Sequence, residues 1–113
     1  MPSLMIASLR VPMLLNKHRD QIPANAVYIG RGSKWGNPYP IGPKWGDRNN
    51  VCNLFEGYFK ALYESGKVSK EELAALHGKP KWCFCAPARC HGETIERYAA
   101  MAHEELQQDK LDL

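Results

Sequence analysis

Residues 81–98 read KWCFCAPARCHGETIERY, and this stretch contains a predicted change from strand to helix. Its first five residues are mostly apolar and β-prone, and Pro87 then interrupts the run, which is typical of a short strand that ends in a tight turn. From residue 91 onwards the apolar residues recur at helical spacing. The sequence therefore predicts a strand at 81–85, a turn at 86–90 and a helix at 91–108. The predicted buried stripe of this helix comprises Ile95, Tyr98, Ala99, Ala102 and Leu106.

The alternation of strands and helices continues towards the N-terminus. Glycine and proline crowd residues 30–47, which predicts a long structured loop because no regular element tolerates that density. A capping box of Ser69 and Glu72 predicts a short helix that ends before Gly78. The other predicted elements are strands at 4–11 and 27–29, a loop or a short helical turn at 13–25, and a helix that is capped by Asn49 or Asn50, ends at Ser65-Gly66 and buries Val51, Leu54, Phe55, Tyr58 and Leu62. We therefore expect an α/β fold, a small single-domain sandwich of residues 1–113 with a central short sheet and flanking helices.

Length, composition and charge limit the class of protein. With 113 residues, of which 44% are hydrophobic and 24% charged, the chain has the composition of one soluble globular domain. It is long enough to fold around an apolar core, so its four cysteines need not form disulfides. We expect neither a signal peptide nor a membrane span, and hence a cytoplasmic protein with reduced thiols and no membrane partner. The net charge of +3 is compatible with an anionic partner but does not require one.

Three cysteines and a histidine lie close together in the quoted stretch, which raises the question of a zinc site formed by Cys83, Cys85, Cys90 and His91. In a strand, Cys83 and Cys85 would lie about 6.6 Å apart at 3.3 Å per residue. Tetrahedral zinc requires its sulfur ligands within roughly 3.8 Å of each other. The adjacent Cys90 and His91 would point about 100° apart at the start of a helix. These spacings favour a domain without a metal or other cofactor, and zinc stays an alternative.

Cys90 and His91 are the strongest candidates for catalysis because they lie at the predicted start of the last helix. The unpaired N–H groups and the positive end of the helix dipole stabilise a thiolate there, and Arg89 strengthens the effect. We expect Cys90 or His91 to act as nucleophile or general acid/base, with Glu93 orienting His91. Gly92 would allow a bound phosphate or carboxylate to approach the backbone closely.

The other cysteines have a simpler expected role. Cys83 and Cys85 lie in the predicted strand and are expected to be buried there as small apolar residues. Cys52 lies just inside a predicted helix and is given no functional role. We therefore expect Cys90 to be the most readily alkylated cysteine of the chain, with a thiol pKa below the usual value of about 8.5.

The long loop begins with GRGSKWGN, residues 30–37, which has the composition of an anion-binding segment. Arg31, Ser33 and Lys34 supply a guanidinium, a hydroxyl and an ammonium group within four residues. The glycines allow the backbone to fold closely around a guest such as a phosphate. Three aromatic residues of the long loop, Trp35, Tyr39 and Trp45, could stack on a base or pack the loop onto the domain, and the sequence does not distinguish the two. The expected ligand-binding residues are Gly30, Arg31, Ser33, Lys34, Trp35, Gly36, Asn37 and Gly92.

Two motifs make the sequence resemble a known family. YIGRGSKWGNP at residues 28–38 and CFCAPARCHG at residues 83–92 are similar to the YIGR-x-SKWGNP and C-W-C-x-P-x-x-CHG motifs of the family catalogued as domain of unknown function 4326. Gly32 replaces a common proline, and Phe84 replaces an expected tryptophan. The resemblance implies an α/β fold and candidate site residues in both motifs, but no established reaction. Such domains occur in phage and bacterial genomes, which associates them with nucleotide or nucleic-acid metabolism.

These features together predict one pocket, in which the loop at residues 30–38 meets the turn at residues 86–92. The leading hypothesis is a nucleotide- or nucleoside-processing enzyme, a hydrolase or a transferase. Arg31 and Lys34 would hold the phosphate and Asn37 would hydrogen-bond polar edges of the ligand. The first alternative is a non-catalytic nucleic-acid or nucleotide-binding module, and the second is a zinc-stabilised interaction domain. The expected partner is a small anionic ligand, a nucleotide, with nucleic acid as a further candidate and the oligomeric state left open.

Overall fold

A three-stranded parallel sheet and three helices form the part of the chain that the computed structural model describes, residues 14–84 and 88–111. The strands are β1 (Leu14–Asn16), β2 (Val27–Tyr28) and β3 (Lys81–Cys83), in the order β1-β3-β2. Both outer strands run parallel to β3, so Leu15 and Tyr28 flank Trp82 in register. All three strands therefore point their carboxyl ends to the same edge, where α/β sheets usually bind ligands.

Each of the first two helices begins at a side chain that caps it. The helices are α1 (Arg48–Ser65), α2 (Lys70–Leu76) and α3 (Gly92–Leu111). The Asp47 carboxylate accepts from the Asn50 N–H at 2.9 Å before α1, and Gly66 ends that helix with a φ of 79°. Ser69 and Glu72 form the predicted capping box of α2. No helix in the described part of the chain combines the length and the apolar character needed to span a bilayer.

The apolar core lies between the helices and the sheet. Phe55 and Phe59 of α1 stack with their ring centroids 5.3 Å apart, and both are fully buried. Ile95 of α3 and Leu73 of α2 meet them from the other helices. The prediction that Tyr58 belongs to the buried stripe of α1 is wrong, because Tyr58 is 37% exposed and Phe59 takes that place. Apolar residues cover a wide arc of α1, so spacing alone does not show which part of the arc faces inwards.

One charged side chain, Lys81, belongs to this buried region. It is the first residue of β3 and is fully buried. Its ammonium group donates to the carbonyls of Leu76 and Lys79 at 2.9 and 2.8 Å, and it forms an ion pair with Glu96. Because Leu76 is the last residue of α2, the cation caps the carbonyl end of that helix and connects it to β3 and α3.

The structure differs from the sequence-based elements in the predicted loop at 13–25 and at one helix cap. β1 lies inside the segment predicted as a loop. A strand of three residues shows too little periodicity to be identified from the sequence, and it is stabilised by pairing with β3. The cap of α1 is Asp47 rather than Asn49 or Asn50. The predicted strand at 4–11 and residues 85–87 of the predicted strand and turn lie outside the described residues.

Candidate functional site

The glycine-rich loop leaves the carboxyl end of β2 and turns tightly on itself. The Gly30 carbonyl accepts from both the backbone N–H and the hydroxyl of Ser33, at 3.1 and 2.7 Å. Gly36 returns so close that a Cβ there would lie 2.7 Å from the same carbonyl oxygen. At Gly30 a Cβ would lie 2.5 Å from the Tyr28 ring. The glycines are therefore needed for the packing of the loop itself, which keeps residues 30 and 31 at the edge of the sheet.

Asn37 connects the far end of this loop to the first helix by a hydrogen bond. Its amide group donates to the Val51 carbonyl at 3.0 Å, and its amide oxygen accepts from the backbone N–H of Tyr39 at 2.9 Å. Val51 lies in the first turn of α1, which also supplies Arg48. The side chain predicted to contact a ligand thus holds the loop against the start of α1.

The segment that leads into α3 reaches the same edge of the sheet. The backbone N–H of Cys90 donates to the Glu93 carboxylate at 3.3 Å, which satisfies a donor at the start of the helix. A Cβ at Gly92 would meet side-chain carbons of Ile29 and Leu14 at 2.6 and 2.7 Å. Glycine at this position lets the first turn of α3 lie directly on the sheet, which places Cys90 beside the end of β2.

These segments surround a cavity of about 250 Å³. The loop after β2, the start of α1 and the residues on either side of the turn before α3 all contribute to its wall. Residues from the loop at 30–38 and from the turn at 86–92 therefore line the same cavity, as the sequence predicts. The described residues of the lining are Gly30, Arg31, Asn37, Tyr39, Ile41, Arg48, Val51, Cys52, Cys83, Phe84, Arg89, Cys90 and His91.

Arginine supplies the charge of this cavity. Three guanidinium groups belong to the described lining, which contains no carboxylate. Arg48 donates to the Arg89 carbonyl at 3.3 Å, and Arg89 in turn bonds the Asn53 amide oxygen at 2.9 Å and the Glu56 carboxylate at 3.2 Å. The exposed guanidinium of Arg31 makes no hydrogen bond or ion pair within the described parts of the chain. Arg31 is therefore the cation best placed to bind an anionic guest.

The Cys90 sulfur is buried and lies beside groups that can donate hydrogen bonds to it. The backbone N–H of Gly92 donates to this sulfur at 3.3 Å, and the Cys83 sulfur lies 3.2 Å away. Both the N–H group and a neighbouring S–H can donate to a thiolate, and the start of α3 adds the favourable end of the helix dipole. Cys83 is buried as predicted, but Cys90 is buried to the same 2%, so the expected difference in exposure between the two is not present.

The His91 ring is held so that one nitrogen faces Cys90. Its Nε2 lies 2.7 Å from the Ile29 carbonyl oxygen, which can only accept, so Nε2 carries a proton. In the neutral ring Nδ1 then has its lone pair, and this atom is 3.7 Å from the Cys90 sulfur. Phe55 packs edge-on against the ring with centroids 5.0 Å apart. Ile29 and Phe55 thus perform the orienting role predicted for Glu93, whose carboxylate instead accepts from the backbone of Cys90.

Five of the predicted ligand-binding residues lie outside the described cavity lining: Ser33, Lys34, Trp35, Gly36 and Gly92. The Lys34 ammonium forms an ion pair with Glu72, which joins the loop to the start of α2. The Trp35 ring packs against Phe59, with centroids 6.2 Å apart, at the border of the core. Ser33 directs its hydroxyl to the Gly30 carbonyl. These contacts shape and anchor the loop, and Arg31 and Gly30 are the members of its first half that reach the cavity.

Several lining residues, among them Arg48 and Cys52, are not predicted from the sequence as part of the site. Arg48 lies in the first turn of α1, where an isolated arginine carries no motif. Cys52, for which the sequence predicts no functional role, is 5% exposed and lies in the cavity wall with its sulfur 3.9 Å from the Arg89 carbonyl oxygen. The signal that could have found both is their position directly after the glycine-rich loop, at the start of a helix that must abut it.

The zinc alternative depends on Cys85, which lies outside the described residues. Across the described ranges, no group of three or more histidine, cysteine, aspartate or glutamate side chains is arranged to hold a metal ion. The described lining supplies three thiols, one imidazole and three guanidinium groups.

Comparison with known proteins supports the resemblance of the two motifs. The family described as a domain of unknown function (DUF4326) matches residues 14–101. This match covers most of the chain and includes both motifs, so the chain belongs to that family. No curated protein and no solved structure gives a significant match.

Proposed function

We propose that this member of the family is an enzyme that processes a nucleotide or nucleoside in the cavity beside Cys90. The observation that carries the proposal is the lining itself: three arginines, no carboxylate among the described lining residues, and a cysteine–histidine pair in one cavity. An electropositive cavity attracts an anionic ligand, and the nucleophile would then lie next to it. Tyr39 and Phe84 add aromatic surface for a planar base.

The size of the cavity favours a small ligand. Clefts for drug-sized ligands usually have volumes of about 300–1,000 Å³. The volume of about 250 Å³ lies just below that range. A nucleoside or a nucleoside monophosphate, part of which remains in solvent, fits this space better than a dinucleotide. Arg31 would bind the phosphate, and Arg48 would add positive charge from the other side of the cavity.

Covalent catalysis by Cys90 is the mechanism that we propose. The Nδ1 atom of His91 takes the proton of the Cys90 thiol, and the thiolate displaces the leaving group at the glycosidic or the phosphate end of the ligand. The imidazolium then returns the proton to the leaving group. Water or another acceptor releases the group carried on sulfur, which makes the reaction a hydrolysis or a transfer.

The test is incubation with a panel of nucleosides and nucleoside monophosphates, with chromatography to detect the released base or phosphate. We expect turnover of at least one member of the panel, and we expect Cys90→Ser to reduce it by at least about a hundredfold while ligand binding persists. Cys52→Ser is the matched control, because Cys52 is also buried in the cavity wall, and it should retain turnover. Absence of both turnover and binding across the panel would refute the proposal.

A second candidate, a non-catalytic nucleic-acid or nucleotide-binding module, is favoured by aromatic pairs beside the cavity. The Lys44 ammonium lies 5.0 Å from the centre of the Trp45 ring, which contacts Tyr39 of the lining. Lys17 lies 5.7 Å from the Trp82 ring, which contacts Phe84. Such cation–aromatic surfaces bind stacked bases of single strands. Binding of oligonucleotides with steep salt dependence, and without turnover, would identify the module.

A further inference from the structure

The geometry points to Cys83 and Cys90 as a dithiol pair that exchanges with small anionic disulfides and closes into a protein disulfide. The inference does not depend on which nucleotide, if any, the cavity binds. Cys83 ends β3 and Cys90 precedes α3, and their sulfurs lie 3.2 Å apart. A disulfide bond requires about 2.05 Å between sulfurs, so an approach of roughly 1.2 Å would suffice.

Cys90 is the attacking member of the pair. Its sulfur accepts from the Gly92 N–H at 3.3 Å and lies 3.7 Å from His91 Nδ1, whose lone pair can take the thiol proton. A thiolate is the species that attacks a disulfide, so the better stabilised thiolate reacts first. Cys83, at the end of a strand that pairs on both sides, is the resolving member.

The cavity gives a reagent access to these buried sulfurs. Both sulfurs belong to residues that line it, and the lining also includes the exposed residues Arg31, Ile41 and Phe84. Glutathione disulfide carries several carboxylates, and the arginines of the lining would attract it. An anionic low-molecular-weight disulfide is therefore the class of oxidant that this site would accept.

The exchange proceeds in two balanced steps. In the first, the Cys90 thiolate bonds one sulfur of glutathione disulfide, the disulfide bond of the reagent breaks, and one glutathione thiol leaves with a proton. In the second, Cys83 loses its proton and its sulfur bonds the Cys90 sulfur, while the mixed disulfide breaks and releases the second glutathione. The protein is oxidised by two electrons, and one glutathione disulfide is reduced to two thiols.

Oxidation would remove the proposed nucleophile from the cavity. A sulfur held in a Cys83–Cys90 disulfide can no longer attack a ligand, and a reducing thiol would restore it. The pair would thus couple any chemistry at Cys90 to the ratio of glutathione disulfide to glutathione.

The test is exposure of the folded, reduced protein to glutathione disulfide at neutral pH, followed by acid quench, alkylation and peptide mass spectrometry. Wild-type protein should lose two hydrogens and yield a linked pair of peptides that contain Cys83 and Cys90. Cys83→Ser should stop at a glutathione adduct on Cys90. Cys90→Ser should react at least about tenfold more slowly than wild type. Cys52→Ser and Cys85→Ser are the controls and should close the same disulfide.

Three results would overturn the inference, and the first needs no variant. The first is a wild-type peptide map in which Cys90 is linked to another cysteine or stays reduced. The second is a Cys83→Ser variant that forms an internal disulfide at the wild-type rate. The third is a purified protein that carries one equivalent of metal, which shields both sulfurs from the reagent. Because the wild-type map alone shows whether Cys83 and Cys90 become linked, the inference can be refuted even if a serine variant fails to fold.

Discussion

At the scale of single residues, Gly92 determines how closely the start of α3 approaches the sheet. A Cβ there would lie 2.6 Å from a side-chain carbon of Ile29 and 2.7 Å from one of Leu14. Real Cβ atoms do not come that close, so either these two side chains would have to turn away or the helix would have to move. Because Cys90 and His91 precede this glycine directly, such a movement would displace the reactive pair as well.

Two glycine substitutions separate this packing role from the intrinsic cost of glycine in a helix. We expect Gly92→Ala to destabilise the protein by about 1–3 kcal/mol, because the added carbon overpacks a filled site. Gly57→Ala is the matched control. Gly57 lies inside α1 with open space where its Cβ would be, so we expect a gain of about 0.5–1 kcal/mol from helix propensity. Urea denaturation gives both values, and equal effects of the two substitutions would contradict the packing role of Gly92.

The sequence identifies which residues belong to the site better than it identifies which residues their side chains contact. Arg31, Cys90 and His91 are identified from their motifs, and all three line the cavity. Lys34 has the same chemistry in the same motif, but Glu72 lies 38 residues away in the chain and pairs with it. The partner of a flexible cation depends on tertiary structure, and no local pattern contains it.

At the scale of elements, one carboxylate joins the three helices. Glu105 of α3 accepts from the Tyr63 hydroxyl of α1 and pairs with the Lys70 ammonium of α2 at 3.0 Å. The hydrogen bond from Tyr63, followed by that from Lys70, lowers the pKa of Glu105 below its ordinary value of 4.5. Burial, followed by the bond to Glu105, raises the pKa of Tyr63 to about 12. The phenol therefore stays protonated and keeps donating at neutral pH.

The lowered pKa of Glu105 predicts that part of the free energy of unfolding is lost at acidic pH. Since the carboxyl is more acidic in the folded than in the unfolded chain, its contribution is complete above about pH 4.5 and is lost as the pH falls through the folded value. Glu105→Gln should therefore lower the unfolding free energy at pH 7 by about 1 kcal/mol or less, since the side chain is 41% exposed and solvent screens it. The difference from wild type should shrink as the pH falls below about 4.5.

Urea denaturation across pH 3 to 7 measures this effect, and Glu104→Gln is the control. Glu104 is the exposed neighbour of Glu105 in α3, so its substitution should leave the pH profile of stability unchanged. If the difference in unfolding free energy between Glu105→Gln and wild type is as large at pH 3 as at pH 7, the destabilisation does not come from the loss of the carboxylate charge.

The elements themselves can be predicted where the sequence contains local signals. The capping box before α2 and the αL glycine after α1 are such signals, and α2 begins and α1 ends where they indicate. β1 cannot be predicted in this way, because a three-residue strand is stabilised by pairing with β3 and not by its own pattern. The prediction for the buried side of α1 is wrong at Tyr58 for a related reason, since packing against α3 and the sheet selects that side.

At the scale of the whole molecule, the parallel sheet explains why distant segments meet. β2 and β3 are neighbours with the same direction, so the loop after residue 28 and the segment after residue 83 leave the sheet at the same edge. The sequence predicts this meeting from the strand–helix alternation and from the anion-binding groups that both segments carry. It does not predict the size of the cavity, or that the start of α1 closes it with Arg48, because both depend on the path of the long loop.

The most direct test of the central claim is a titration of isotope-labelled protein with nucleoside monophosphates, followed by backbone NMR shifts. We expect residues of the loop at 30–37 and residues 89–92 to shift together with one dissociation constant. Arg31→Ala should weaken binding by on the order of tenfold to a hundredfold, the loss of one charge-assisted hydrogen bond. Arg97→Ala, which removes an exposed arginine of α3 outside the lining, should leave it unchanged. Shifts confined to one of the two segments, or equal weakening by both substitutions, would contradict the claim that they form one anion-binding site.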